Sequence, residues 1–281
     1  MLASFLLSLR EGIEAALIIG IVLGALRKLN RSEMQPAVWY GAISAVVVSL
    51  LTGIVLTAFG LSLEGAAEQI FEGIAMLLAA AVLTWMIFWM NRQARSIKGE
   101  LEAGVNRATS TGGTRALFSL AFLAVVREGI ELALFLTAAT FASDVQSTLL
   151  GTLLGLGAAI LLGWGLFAST RRLNLHRFFQ VTGVLLILFA AGLVAHGVHE
   201  FNEVGWIPSV VEHVWDTNPI IDENSTLGLM LKALFGYNGN PSLTEVIAYL
   251  LYYVTIFLGL RWINRSVQAP VTRSADPQLS R

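Results

Sequence analysis

Seven apolar stretches, each long enough to cross a bilayer as a helix, constrain this chain more than any other feature. They run over about residues 2–26, 38–60, 65–90, 116–142, 148–169, 179–201 and 244–263. A helix rising ~1.5 Å per residue needs roughly 20 apolar residues to span a hydrocarbon core of about 30 Å. The rest of the composition leaves no soluble alternative. Of 281 residues 56% are hydrophobic and 13% charged, and the mean hydropathy is +0.71, whereas ordinary soluble domains are about a quarter charged. The expected fold is an all-α integral membrane protein with seven transmembrane helices. Arg10, Glu11 and Glu14 interrupt the first stretch and no basic segment precedes it, so it reads as a span and not as a cleaved signal peptide.

Charge fixes the expected orientation. Arg27, Lys28 and Arg31 follow span 1; Arg92, Arg95, Lys98, Arg107 and Arg115 follow span 3; Arg171, Arg172 and Arg177 follow span 5; Arg261, Arg265, Arg273 and Arg281 close the chain. These connections are cytoplasmic by the positive-inside rule. The alternate ones are acidic, with Glu64, then Asp144, then Glu203, Glu212, Asp216, Asp222 and Glu223 before span 7; Lys232 is the exception. The N-terminus is therefore expected outside and the C-terminus inside. Trp39, Trp85, Trp89 and Trp262 then fall near the cytoplasmic interface, where amphipathic rings prefer to sit. A net charge of −1 leaves no basic surplus for nucleic acid. With no cysteine, metal chemistry must use carboxylate or imidazole.

The chain also repeats itself. Residues 10–17 read R-E-G-I-E-A-A-L and residues 127–134 read R-E-G-I-E-L-A-L. Span 1 is expected to enter from outside and span 4 from the cytoplasm. Spans 1–3 and 4–6 would then be inverted three-helix repeats with span 7 appended, an architecture known from transporters. The expected divisions are 1–90 for the first repeat, 91–115 for a flexible cytoplasmic connector and 116–201 for the second repeat. An acidic extracytoplasmic segment follows at 202–243, then the seventh helix at 244–263 and a disordered cytoplasmic tail at 264–281.

Both motifs are expected near mid-membrane, where each ionisable group is costly enough to need a compensating role. The bland reading is an ion pair between Arg10 and Glu14, or Arg127 and Glu131, four apart on one helix face. It leaves Glu11 and Glu128 unexplained. Carboxylates in close array favour a hard cation. Glu11, Glu14, Glu128 and Glu131 are thus the candidate ligands, joined by Glu72, with Arg10 and Arg127 balancing charge.

A second polar row is expected to lead inward. Glu64, Glu68 and Glu72 recur every four residues, which would put them on one face of span 3; an ordinary acidic helix start explains Glu64 as well. His196, His199, Glu200 and Glu203 form a stripe at the outer end of span 6. Together with Glu64 and Glu68 they are candidate inlet or relay residues, although a histidine at a helix end is commonly a cap. His213, with Glu212 and Asp216, could add external ligands, and solvation explains it as well. Gly20 with Gly24, and Gly151 with Gly155, are spaced for close helix contact. Gly12 and Gly129 would leave room beside the carboxylates for an ion or a partner backbone.

With these residues in place, the chain resembles the oxidase-dependent high-affinity iron permease family, which includes bacterial Efe-type permeases and fungal plasma-membrane ferric permeases. The resemblance rests on Arg10-Glu11-Gly12-Ile13-Glu14 and Arg127-Glu128-Gly129-Ile130-Glu131. It is extended by Glu72-Gly73, the run Leu83 to Met90, and the outer segment Asp222-Glu223-Asn224-Ser225 with Gly236-Tyr237. It covers residues 1–265, and neither motif departs from the pattern. It implies iron-binding roles for the four motif glutamates and import of iron as Fe(III), produced from Fe(II) by a partner. It implies no permanently bound cofactor and no enzyme activity. The implied partners are an extracytoplasmic iron-binding protein with a peroxidase, or a ferroxidase, and the implied location is the bacterial inner membrane. One rival is a proton-coupled transporter of another divalent metal or small solute, with the Glu–Arg pairs as relay. The other is a membrane-embedded metal-dependent hydrolase, against which stands the lack of a ligand set with an adjacent nucleophile or base.

Overall fold

A computed structural model describes the backbone of residues 1–93, 97–168, 175–223 and 225–267; within these, side chains are described except at 91–93, 97–98, 111, 166–168, 175–176, 226, 233–234 and 263–267. Of the tail expected to be disordered, residues 264–267 instead continue the last helix, and the rest, 268–281, lies outside the described residues, as does Asn224. So do the side chains of Arg92, Arg95, Lys98, Arg171, Arg172, Arg265, Arg273 and Arg281.

Among the described residues every regular element is helical. The α-helices are α1 (Leu2–Lys28), α2 (Gln35–Leu61), α3 (Ala66–Gln93), α4 (Ile97–Arg107), α5 (Gly113–Ala142), α6 (Val145–Ala168), α7 (Leu175–Glu203), α8 (Thr226–Phe235) and α9 (Leu243–Val267). Among the described residues, five stretches are long and apolar enough to cross a membrane: Ser32–Leu61, Ala66–Met90, Val145–Gly165, Arg177–Glu203 and Leu243–Trp262. Helices α1 and α5 are as long, at 27 and 30 residues. Their apolar runs are broken by the motif charges, which turn inward.

The main core is built from alternate long helices. Leu7 of α1, Met76, Leu83 and Met86 of α3, Phe135 of α5, and Leu186 and Leu193 of α7 pack in one buried cluster. Helices α2, α6 and α9 lie outside it and expose apolar faces, such as Ile43, Leu50 and Ile54 on α2 and Leu153, Ile160 and Leu161 on α6. Such faces suit lipid tails. Helix α2 packs mainly on α5, α6 on α1, and α3 on α7, while α1 and α5 also touch. Small residues permit this approach, as expected of membrane helices. A Cβ on Gly41 would sit 2.5 Å from the Phe118 carbonyl oxygen, and Cβ atoms on Gly151 and Gly155 would strike the carbonyl oxygens of Met1 and Phe5. Gly24 instead faces open space, so the paired-glycine expectation fails there.

The turn into α3 corrects one expectation. Gly65 adopts φ +62 and the helix begins only at Ala66. Glu64 therefore precedes the helix, stands exposed, and does not share a helical face with Glu68 and Glu72.

Two short helices occupy segments read from sequence without structure. Within the connector, α4 packs Leu101 and Val105 against Val22, Leu26 and Leu117, because its apolar residues recur at helical spacing. Beyond α7, α8 is capped by Ser225, whose Oγ accepts from the Gly228 N–H at 3.0 Å, and it stops at Gly236, φ +65. Both are ordinary helix punctuation.

Candidate metal centre

The α1–α5 contact brings the two motifs together. Glu11, Glu128 and Glu131 each present a carboxylate oxygen, and these atoms lie within 4.8 Å of one another. All three side chains are buried; Glu11 is only 2% exposed. Glu14 is not in that triplet. It is held by Arg10, whose Nη2 lies 3.2 Å from Glu14 Oε1 and whose Nη1 lies 3.6 Å from Glu11 Oε1. In the second motif Arg127 donates from Nε to Glu131 Oε1 at 3.0 Å.

The arrangement leaves ligand atoms unused. Both Glu11 oxygens, Glu14 Oε1 and Glu131 Oε2 are buried without a hydrogen-bond partner. Buried polar atoms are rarely left unpaired, and buried charge is costly unless compensated. Four carboxylates and two guanidiniums sum to −2 when all are ionised. A multivalent cation at the triplet would satisfy the oxygens and offset that charge. The donor set is all oxygen, which suits hard cations.

Helix α3 supplies partners that sequence reasoning missed. Arg10 donates to the Met86 sulfur at 3.1 Å and also to the Met90 sulfur. The Arg127 guanidinium carbon lies 4.6 Å from the Trp89 ring centre and 5.5 Å from that of Trp85. The two indoles stack with centres 6.4 Å apart. The available signal was the doublet Trp85-Met86 repeated at Trp89-Met90, which places like residues one helical turn apart.

The motif glycines turn away from the carboxylates toward neighbouring helices. A Cβ on Gly12 would lie 2.6 Å from Ala159 Cβ on α6, and one on Gly129 would collide with the Ser49 hydroxyl on α2.

The other candidate residues lie in a separate group on α3, α7 and α9. Glu72 is half-buried and lies close enough to Glu200 and Glu68 to feel their charge, and it is not in the triplet. Gly73 lets α7 approach there, since its Cβ would sit 3.3 Å from Glu200 Cβ. His196 is buried and its Nδ1 meets the Gly192 carbonyl at 3.0 Å. His199 Nδ1 lies 3.1 Å from Glu245 Oε1, while its Nε2 is 4.0 Å from exposed Glu203. Glu245, absent from the sequence candidates, is only 3% exposed. It accepts from Asn238 at 2.8 Å and from the Ser242 N–H at 3.1 Å. His213 stands exposed, with Nδ1 3.2 Å from the Asn240 carbonyl.

Comparison with known proteins decides the family. The model of the iron permease FTR1 family matches residues 1–270. The chain belongs to that family. It is 35% identical over 257 residues to ferrous iron permease EfeU of Yersinia pestis, covering 90% of this chain and 91% of the relative. It is 35% identical over 278 residues to ferrous iron permease EfeU of Escherichia coli O157:H7, covering 98% and 100%. No solved structure matches it. Membership and the apolar helices together make this iron permease a multi-pass protein of the bacterial inner membrane.

Proposed function

We propose that the permease imports iron across the inner membrane by passing it through the carboxylates of the paired R-E-x-x-E motifs. The observation that carries this is the buried triplet Glu11, Glu128 and Glu131 with unpartnered oxygens beside it. Glu14 completes the set by exchanging Arg10 for the ion. Glu68, Glu72, Glu200 and the His199–Glu203 pair form the inlet from the outer face, with His196 as a packed neighbour and exposed Glu64 at the rim. No cofactor is needed, and transport requires no bond to be made or broken in a substrate.

In this reading seven helices span the membrane, α1–α3, α5–α7 and α9, with the N-terminus outside and the C-terminus inside. The halves 1–90 and 116–201 are inverted repeats. The packing supports this, because exchanging the halves maps the α2–α5 contact onto α6–α1 and returns α3–α7 and α1–α5 to themselves. Rocking one repeat against the other around the carboxylates would alternate access.

Valence has two readings. The all-oxygen donor set suits Fe(III) made from Fe(II) by an extracytoplasmic peroxidase or ferroxidase and handed over by an iron-binding protein. The relatives' name, ferrous iron permease, favours Fe(II) itself. Uptake into liposomes, comparing Fe(II) with Fe(III) under an imposed pH gradient, separates them. The site is tested by isotopic iron uptake in a strain lacking other iron importers. Glu11→Gln and Glu131→Gln should each abolish uptake. Normal uptake by both, at equal protein levels, removes the motifs from the iron path.

A further inference from the structure

Two successive turns of α3 touch both motif arginines, and they do so with unusual partners. Arg10 meets two thioether sulfurs, Met86 and Met90, and Arg127 lies over two indole faces, Trp89 and Trp85. Thioethers are weak acceptors and ring faces attract a cation without accepting a conventional hydrogen bond. A guanidinium beside carboxylates ordinarily takes a bidentate pair, two parallel N–H···O bonds that occupy both oxygens. Neither arginine does so here. Arg127, lying on Trp89, gives Glu131 its Nε alone and leaves Glu131 Oε2 buried and unpartnered. Arg10 lies 3.6 Å and 3.2 Å from Glu11 and Glu14 without hydrogen-bonding the facing oxygen of either.

We infer that Trp85, Met86, Trp89 and Met90 form a clamp that holds both arginines short of full pairing, so that the countercharge is present while the carboxylate oxygens stay free for the ion. These four are positioning residues, since they act through the arginines. The clamp resolves a conflict built into the motif. An arginine four residues from a glutamate stabilises the buried charge, yet full pairing would consume the atoms that bind. The same geometry makes the two halves unequal. Arg10 is 1% exposed and lies between sulfurs and carboxylates, whereas the Arg127 side chain is 38% exposed.

The inference rests on the reading of the central carboxylates as the iron site, and the test keeps the two apart. Binding of Fe(II), kept reduced under argon, is measured by equilibrium dialysis on the purified full-length protein in detergent. Trp89→Leu keeps the side chain apolar, though smaller, and removes the ring face, so Arg127 closes onto Glu131. The dissociation constant should rise about three- to tenfold, the range a partly desolvated cation–π contact supports. Trp89→Phe restores a face and should bind close to wild type. In an Arg127→Gln background Trp89→Leu should change nothing further, because the residue through which it acts is gone. A merely structural tryptophan would weaken binding equally in both backgrounds, and that result overturns the clamp. An unchanged constant in Trp89→Leu, or loss of binding in Arg127→Gln alone, overturns it too, since a held-back countercharge is not needed for the ligands to bind. Met90→Leu tests the Arg10 arm in the same way if the tryptophan variant does not fold, with Arg10→Gln as its background. Wild-type binding by Glu131→Gln is a different failure, because it removes the site and not the clamp.

Discussion

Gly129 of α5 and Ser49 of α2 are packed so closely that a Cβ at residue 129 would overlap the serine side chain. Ser49 cannot easily turn aside, because its hydroxyl donates to the Ala45 carbonyl at 2.8 Å within its own helix. Overpacking at such a contact costs about 1–3 kcal/mol. Gly129→Ala should therefore lower the thermal unfolding temperature in detergent, and Ser49→Gly in the same chain should restore most of it. Equal stability of Gly129→Ala and wild type would contradict the α2–α5 contact as described.

The triplet separates the two glutamates of the first motif. Glu11 belongs to the set within 4.8 Å, whereas Glu14 faces Arg10. Each carboxylate lost from a buried charged site costs a few kcal/mol, so Glu11→Gln should reduce iron uptake by at least about a hundredfold. Glu14→Gln should reduce it less, by about tenfold, through the changed position of Arg10. Initial uptake rates over a range of iron concentrations measure both. Equal losses would put Glu14 in the first set of ligands beside Glu11.

Spacing alone makes the Arg10–Glu14 and Arg127–Glu131 pairs legible, because residues four apart face one another on any helix. The repeated motif equally marks the two helices that must meet. What spacing does not carry is the relative rotation of packed helices, and this decides that Glu11, Glu128 and Glu131 converge while Glu72 joins Glu200 and Glu68. Period-four reasoning fails at Glu64 for a local reason, since Gly65 takes a left-handed φ and the helix has not begun. The positive-inside orientation puts the tryptophans at the interface, yet Trp89 also carries Arg127. The two roles have the same sequence signal. Glu245 was missed because one acid at a helix start looks like solvation, and only the fold brings His199 from 46 residues away.

Glu245 is the polar anchor between α7 and α9. It is nearly buried and accepts from His199, Asn238 and the Ser242 N–H. Removing the acceptor strands three donors, each worth about 1–3 kcal/mol when left unsatisfied. Glu245→Ala should destabilise the protein by about 3 kcal/mol or more, whereas Glu203→Ala, an exposed partner of His199 at 4.0 Å, should cost under about 1 kcal/mol. Thermal unfolding of both variants side by side decides this; similar small losses would mean that His199 and Asn238 find other acceptors.

Asp144, between α5 and α6, gives a pH-dependent prediction. Its carboxylate accepts from the Ser147 N–H at 2.8 Å, capping α6, and this backbone hydrogen bond holds its carboxyl below the usual carboxylate range. A depressed folded-state value means the charged form favours folding. That contribution is complete above the unfolded value near ~3.9 and is lost as pH falls through the lower folded value. Losing such a cap costs about 1 kcal/mol, so Asp144→Ala should be less stable than wild type by about that amount at neutral pH. The gap should narrow as pH falls below about 4. Unfolding curves at a series of pH values for both proteins test it, and a gap that stays constant down to the acid limit would show that the cap acts without its charge.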